Sequence, residues 1–358
     1  MSRTLIPFGP QHPVLPEPLH LSLVLENETV VEAIPKLGYI HRGLENLTAL
    51  RDYNQMIYIV ERVCGICSCI HAMCFCHAVE HLMQVEVPRR AKYLRIIWSE
   101  LHRMHSHLLW LGLLADAIGF ESLFMQFWKI RERVMDINEA TAGNRVIIST
   151  NVIGGVRKDL SREHQRWIVD ELNILETEMH RLEKICTDDY TLRKRTVGVG
   201  VLTAEQVIQL GAVGPTMRAS GVAQDARMLH YEAFKELGFT PVTALDGDSW
   251  ARTIVRFKEV YQSMDIVRQA INHLPEGEIN VKVRGNPTGE AVARVEQPRG
   301  ELFYYVKGNG SKYLDRVRIR TPTFSNIPPM LAMLKGIQLA DVPVAVLSID
   351  PCISCTER

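Results

Sequence analysis

The chain has 358 residues, of which 46% are apolar and 23% charged, and its 41 Lys and Arg are balanced by 41 Asp and Glu. Zero net charge excludes the basic excess of a nucleic-acid-binding protein, and a chain of this length buries a large core without disulfides. The opening residues lack the apolar run of a signal peptide, and no uninterrupted apolar stretch reaches the roughly 18 residues of a membrane span, so membrane association is expected only through partners.

Taken in chain order, Leu19 to Leu25 and Thr29 to Ala33 are β-prone runs around the polar Glu26-Asn27-Glu28, which predicts a hairpin within an N-terminal β region over residues 1–35. From Leu44 the pattern turns helical, giving an expected helical core over 44–273. Helices are predicted at about 65–86, from Pro88 to about Gly119, from Arg162 to Lys184, and at 203–211, 222–237 and 250–273. In the third of these, Leu172, Leu175, Met179 and Leu182 stand at helical spacing, and Gly154-Gly155 separates it from the second. Arg193-Lys194-Arg195 reads as a solvated turn. Past Pro275 the runs Ile279 to Val283, Ala291 to Val295, Leu302 to Val306 and Val317 to Ile319 predict a small β region. A helix near 328–338 and an extended segment, Val342 to Ile349, then lead into the C-terminal motif, so 275–358 combines β structure with a metal-binding segment. No repeat or linker divides the chain. The expected fold class is α+β, mostly helical, in a single domain over 1–358.

Five of the eight cysteines (64, 67, 69, 74 and 76) crowd together, a poor disulfide framework and a better source of reduced thiols and metal ligands. Two Cys-x-x-Cys pairs, Cys64-Gly65-Ile66-Cys67 and Cys352-Ile353-Ser354-Cys355, stand at opposite ends of the chain. Converged by the fold, they make a four-thiolate site suited to zinc, to nickel and iron, or to an iron–sulfur cluster. Zinc ribbons place their pairs about 15–20 residues apart, as a staple that a large core does not need. Glu61-Arg62 and the start of a helix lie beside the first pair, where positive charge and the helix dipole lower thiol pKa values. His71, one turn beyond Cys67, is placed to hydrogen-bond a ligand sulfur. Before the second pair, Pro351 fixes the backbone and Asp350 offers a hydrogen-bond acceptor. Cys69, Cys74 and Cys76 are expected to be packing residues.

Glu61-Arg62-Val63-Cys64-Gly65-Ile66-Cys67 with His71 resembles the first metal motif of nickel–iron hydrogenase large subunits, and Asp350-Pro351-Cys352-Ile353-Ser354-Cys355 resembles their C-terminal motif. Glu17-Pro18-Leu19-His20-Leu21, Arg42-Gly43-Leu44-Glu45, Pro298-Arg299-Gly300 and Pro322-Thr323 resemble further segments of that family, so the resemblance runs from about residue 6 to 358. Phe8-Gly9-Pro10-Gln11-His12-Pro13 and Gly38-Tyr39-Ile40-His41-Arg42-Gly43 are similar to the quinone-module subunit of respiratory complex I, which lacks the cysteine pairs. Both sets together point to the energy-converting, Ech-type membrane-bound hydrogenases.

The resemblance implies a nickel–iron centre whose iron carries carbon monoxide and cyanide. Cys64 and Cys352 would be terminal nickel ligands, and Cys67 and Cys355 would bridge to the iron. His71, Pro322, Thr323 and Asp350 would surround the cofactor. It further implies heterolytic cleavage of H2, with the Cys352 thiolate or Arg299 as base. A guanidinium with a pKa above about 12 serves better as an electrostatic positioning group. Glu17 would carry the proton outward, with His41 and Glu45 as further relay candidates. Relatives often end in a histidine that helps hold a magnesium or iron ion beside the glutamate matching Glu45. Here Arg358 puts that ion in doubt and offers an Arg358–Glu45 ion pair in its place. The remaining cysteines supply no second four-thiolate set, so an iron–sulfur small subunit is implied, with ferredoxin as redox partner, membrane ion-translocating subunits, and a place on the cytoplasmic side of the membrane. The rival readings are a complex I-type quinone scaffold without hydrogenase activity, which has no use for the thiolate pairs, and a structural zinc protein.

Overall fold

The computed structural model describes residues 3–358; Met1 and Ser2 lie outside the described part. Three antiparallel strands open the chain, β1 (Thr4–Phe8), β2 (His20–Glu26) and β3 (Thr29–Lys36), in that order across the sheet. The predicted hairpin is β2–β3. Glu26 faces Thr29, and Asn27 and Glu28 are both left-handed (φ 49° and 64°), as a two-residue hairpin turn demands. Strand β1 lies within the expected β region but was not singled out as a strand: only Phe8 of its five residues is buried, so it carries no alternating apolar signal.

Helices α1 (Leu44–Leu47), α2 (Tyr53–Glu61), α3 (Ser68–Met83), α4 (Arg89–Ala117) and α5 (Glu121–Ala142) follow. Gly154-Gly155 lies in a small hairpin of β4 (Asn151–Val152) and β5 (Gly155–Val156). Then come α6 (Arg162–Asp188), α7 (Tyr190–Thr196), α8 (Ala204–Gln209), α9 (Pro215–Arg218) and α10 (Ser249–Asn272). The 29 residues of α4 make an axis about 43 Å long, against which α5 and α10 pack, and α6 lies on those two to complete one core. Leu172, Leu175, Met179 and Leu182 of α6 are buried in it, as their spacing predicts. Ser161 caps α6 by accepting from the His164 N–H, and Asp248 caps α10 by accepting from Ala251.

The C-terminal part contains a second sheet, β6 (Thr288–Gln297), β7 (Gly300–Asn309) and β8 (Leu314–Arg320), then α11 (Pro322–Leu334), α12 (Val342–Ser348) and α13 (Ile353–Glu357). Three of the predicted β runs fall inside this sheet. The fourth, Ile279 to Val283, makes only an isolated bridge from Asn280 to Gly155. The helix expected near 328–338 starts earlier, because Pro322 takes the first helical position, where a missing N–H costs nothing.

Three other expectations fail. Residues 222–237 form two single 3-10 turns, Ala226–Leu229 and Phe234–Glu236, not a helix. His230 and Glu232 there are left-handed, and Asp225 and Arg227 pair with each other at 2.8 Å. Val342 to Ile349 is helical rather than extended. Its Val and Ile residues are buried almost all round, so no periodicity distinguishes helix from strand. Arg193-Lys194-Arg195 is the last turn of α7, with Arg195 paired to Asp341 at 3.0 Å.

Helix α3 is buried from Ser68 to Glu80, packed between the second sheet on one side and α4 and β4 on the other. The N-terminal sheet packs on α11 and α12, and α13 closes against α11, placing Ile353 in the core under that sheet and Cys355 in the core between α3 and the second sheet.

Candidate metal centre

The chain leaves α2 at Glu61, runs without helix through Cys64-Gly65-Ile66, and re-enters helix at Cys67, the N-cap of α3. At the other end α12 stops at Ser348. Asp350 adopts a left-handed φ of 57°, Pro351 follows, and Cys352 is the N-cap of α13, its Sγ accepting from the Cys355 N–H at 3.3 Å. A left-handed conformation is costly for a residue with a Cβ, so the turn that aims the second pair is held by its surroundings. Arg299 donates from Nε to the Asp350 carbonyl and from Nη2 to Asp350 Oδ1, both at 2.9 Å. The Cys352 N–H donates to Thr323 Oγ1 at 3.1 Å, and Thr321 Oγ1 donates to the Cys355 carbonyl at 3.0 Å.

The two pairs converge. Cys64 and Cys352, 288 positions apart, bring their sulfurs to 3.4 Å, and Cys67 and Cys355 theirs to 3.7 Å. The sulfurs of Cys64, Cys67 and Cys355 all lie within 4.8 Å of one another, and all four cysteines are buried. Their proton affinities diverge. Hydrogen bonds from Cys352, Cys355 and Cys67 hold Cys64 well below the ordinary thiol range, whereas burial pushes Cys67 and Cys355 well above it. Cys352 is raised as well, so one thiol of the four is poised to ionise and a thiolate-loving metal would have to displace the protons of the other three. Two further atoms point the same way: Arg299 Nη1 and Asp350 Oδ2 are buried beside the thiols without a hydrogen-bond partner. Burial works against the Arg299 charge, but Asp350 and the cysteine charges outweigh it and keep the guanidinium protonated. The residues fit a nickel–iron pair.

His71 lies 3.6 Å from the sulfur of Cys355, while its Nδ1 meets the Tyr304 hydroxyl at 2.8 Å. Burial lowers its pKa to about 4. Glu17, half-buried, accepts from the Ser354 N–H at 2.8 Å and from the Ser354 hydroxyl. On its outer side it lines a surface depression of about 490 Å³ with Gln11 and His12. Glu45 has three partners, none of them a cysteine. It accepts from Arg358 Nε at 3.1 Å, Arg318 Nη1 at 2.7 Å and the Ile319 N–H at 2.9 Å, so the Arg358–Glu45 pair is formed. His41 Nδ1 meets the Glu357 carbonyl at 2.5 Å. Pro322 starts α11 next to Thr323.

Arg62 does not serve the site as expected. Its guanidinium is more than half exposed and donates to the Tyr58 carbonyl, and the cation whose charge reaches Cys64 is Arg299. Arg42 instead ties the loop, donating at 2.7 Å to the carbonyls of both Arg62 and Val63. Sequence reasoning also missed Ser354 and Tyr304. Ser354 lies inside the second Cys-x-x-Cys, which was the available signal; nothing in the sequence links Tyr304 to His71. Cys69, Cys74 and Cys76 are buried within α3.

Residues 42–116 match the nickel-dependent hydrogenase family, and residues 117–286 and 280–358 match the family of the respiratory-chain NADH dehydrogenase 49 Kd subunit. The chain is 40% identical to the membrane-bound hydrogenase subunit alpha of Pyrococcus furiosus, over 99% of this chain and 87% of that one. It is 39% identical to the carbon monoxide-induced hydrogenase of Rhodospirillum rubrum, over the whole of both. A chain in the solved structure of the membrane-bound sulfane sulfur reductase, an archaeal respiratory membrane complex, superposes with a TM-score of 0.94 at 30% identity, covering 100% of this chain and 99% of that one. The chain therefore belongs to the nickel–iron hydrogenase large subunits of the membrane-bound group, relatives of the respiratory-chain 49 Kd subunit.

Proposed function

We propose that this chain is the catalytic subunit of a membrane-associated hydrogenase that interconverts H2 with protons and electrons, linked to ferredoxin through an iron–sulfur small subunit and coupled to ion translocation by membrane subunits. The observation that carries this reading is the meeting of four buried cysteine sulfurs beside the unpartnered Nη1 of Arg299. Cys64, Cys67, Cys352 and Cys355 would hold the nickel and the iron. When bound, the metal pair supplies the electron-pair acceptor that cleavage of H2 requires.

The chain's own residues supply the rest. Burial of the four cysteines excludes bulk water and strengthens every charge interaction at the site. Arg299, locked to Asp350 by two hydrogen bonds, keeps a fixed positive group beside the sulfurs and is not the base. The proton is taken at Cys352 Sγ. Glu17 receives it through the Ser354 segment and releases it into the surface depression it lines. No helix among the described residues is long and apolar enough to cross a membrane, which suits a peripheral subunit, placed here on the cytoplasmic side. Equal amounts of nickel and iron, about one of each per chain, with infrared bands of carbon monoxide and cyanide, are the expected result; zinc alone would refute the reading. A preparation with both metals that neither evolves nor consumes H2 would favour the scaffold or sulfur-reducing roles of its relatives.

A further inference from the structure

Helix α4 carries two histidines that no step above uses. His102 and His105, one turn apart, are fully buried, and their rings meet edge to face with centroids 5.5 Å apart. Their hydrogen bonding is lopsided. Arg131 of α5 donates from Nε to His105 Nδ1 at 3.0 Å. An arginine side chain has no acceptor, so neutral His105 must offer its Nδ1 lone pair there and carry its proton on Nε2. That Nε2–H has no partner, and neither does the hydroxyl of Ser106, while His102 has no close hydrogen bond beyond its approach to the Ile66 backbone. Each buried polar group left unmade costs about 1–3 kcal/mol. The usual remedy is an ordered water with two to four polar partners. His102 also lies beside the backbone of Ile66, the residue between Gly65 and Cys67 in the first metal-binding loop.

We propose that Arg131, His105 and His102 form a buried positioning chain, in which one bound water accepts from His105 Nε2–H and donates to a nitrogen of His102, leaving His102 with its own N–H on the side of the Cys64–Cys67 loop. No bond is broken and no proton changes owner. The chain fixes a tautomer, and with it a neutral hydrogen-bond donor behind the thiols. Burial holds both imidazoles below their ordinary pKa range, so neither adds a cation there. The arginine at the outer end thus sets which nitrogen of His105, and through the water which nitrogen of His102, carries the proton. The effect on the metals rests on the nickel–iron reading; the water and the tautomer do not.

The metal-loaded complex tests the consequence through its carbon monoxide and cyanide infrared bands. His102→Gln should shift them, and Arg131→Gln, which offers an acceptor as well as donors, should shift or split them in the same direction. Arg131→Lys, still a pure donor, should leave them in place. Wild-type bands in Arg131→Gln would overturn the chain, as would equal shifts in Arg131→Gln and Arg131→Lys. Independently of any metal, a high-resolution structure of the complex as isolated should show the water between His105 Nε2 and His102, and a dry contact there would overturn the proposal. Loss of all infrared bands in the parent protein would count against the nickel–iron reading and leave the water to decide this one.

Discussion

Glu17 and Cys355 occupy different positions around the same four sulfurs, and their variants should fail differently. Glu17 touches the site only through Ser354, taking hydrogen bonds from its N–H and its hydroxyl. Its amide analogue keeps the shape and loses the ability to hold a proton. Glu17→Gln is therefore expected to retain both metals and to lose hydrogen–deuterium exchange with solvent by about 10²-fold or more, the usual weight of a positioned proton carrier; full exchange would remove Glu17 from the route. Cys355 lies within 4.8 Å of two other sulfurs and beside His71. Cys355→Ser replaces a soft thiolate by a hydroxyl that stays protonated, so no nickel–iron site should assemble, and an intact infrared spectrum in that variant would refute its place among the ligands. The four cysteines, His71 and Asp350 could be singled out from residue type and short spacing, and Arg299 only from the resemblance of Pro298-Arg299-Gly300 to a family motif. Ser354 and Tyr304 were not, since a hydroxyl gains its meaning here from a partner hundreds of positions away.

At the scale of elements, α13 is buried through Ile353 and Cys355 and is also held by polar latches. Glu357 accepts from the N–H groups of Gly38 and Ile40 at 2.6 Å each, and Arg358 pairs with Glu45. Burial raises the Glu45 pKa, but the Ile319 N–H, Arg318 and Arg358 outweigh it and leave it lowered from 4.5. A carboxylate with a depressed folded pKa contributes stability that is complete above its unfolded value and lost as the pH falls through the folded one. The latch should therefore loosen below about pH 4.5. Hydrogen exchange in residues 353–357 should then rise by roughly fivefold, the equivalent of about 1 kcal/mol for a partly exposed pair. Glu45→Gln should show the faster exchange already at neutral pH, and identical exchange in the two proteins would show that the latch carries nothing. Elements with a one-sided apolar stripe, such as α6, could be read from the sequence. Helix α12 could not, because Val-Pro-Val-Ala-Val-Leu is buried on nearly every side and its β-branched residues favour strand until tertiary packing overrides them.

The whole molecule is built around a charged interior. Arg95, Arg103, Arg218 and Arg227 are all fully buried. Arg218 meets Glu259 at 2.7 Å, Glu296 at 2.8 Å and Asp225 at 3.2 Å, while Arg227 meets Asp225 at 2.8 Å and Glu100 at 3.2 Å. None of this was legible, because a lone charged residue within a helix reads as a solvated position until the partner from another element is in place. The interior makes the fold acid-sensitive, and the direction can be worked out group by group. Burial holds His102 and His107 at about 4 and His105 well below its ordinary value. Between pH 6.5 and about 4 the unfolded chain binds protons that these folded imidazoles refuse, so each removes up to about 1.4 kcal/mol of stability per pH unit. Glu296 opposes them. Burial and Asp225 raise it to about 7, so the folded state binds its proton first and gains stability as the pH falls from 7 towards 4.5. Four histidines, His71 being held at about 4 as well, outweigh two carboxylates, since burial also raises Glu61. Below about 4.5 the sign is uniform: Asp225 and Glu232 are pushed up by burial, yet Arg227 and Arg95 respectively bring both down to about 2, and their contribution drains away towards that pH. The denaturation midpoint should therefore fall continuously from pH 6.5 to 3. In His107→Gln, which keeps a donor for Glu259 and cannot titrate, the fall between pH 6.5 and 4 should be shallower by about one proton's worth of slope. An unchanged slope in that variant would show that His107 is not among the groups that set the acid limit.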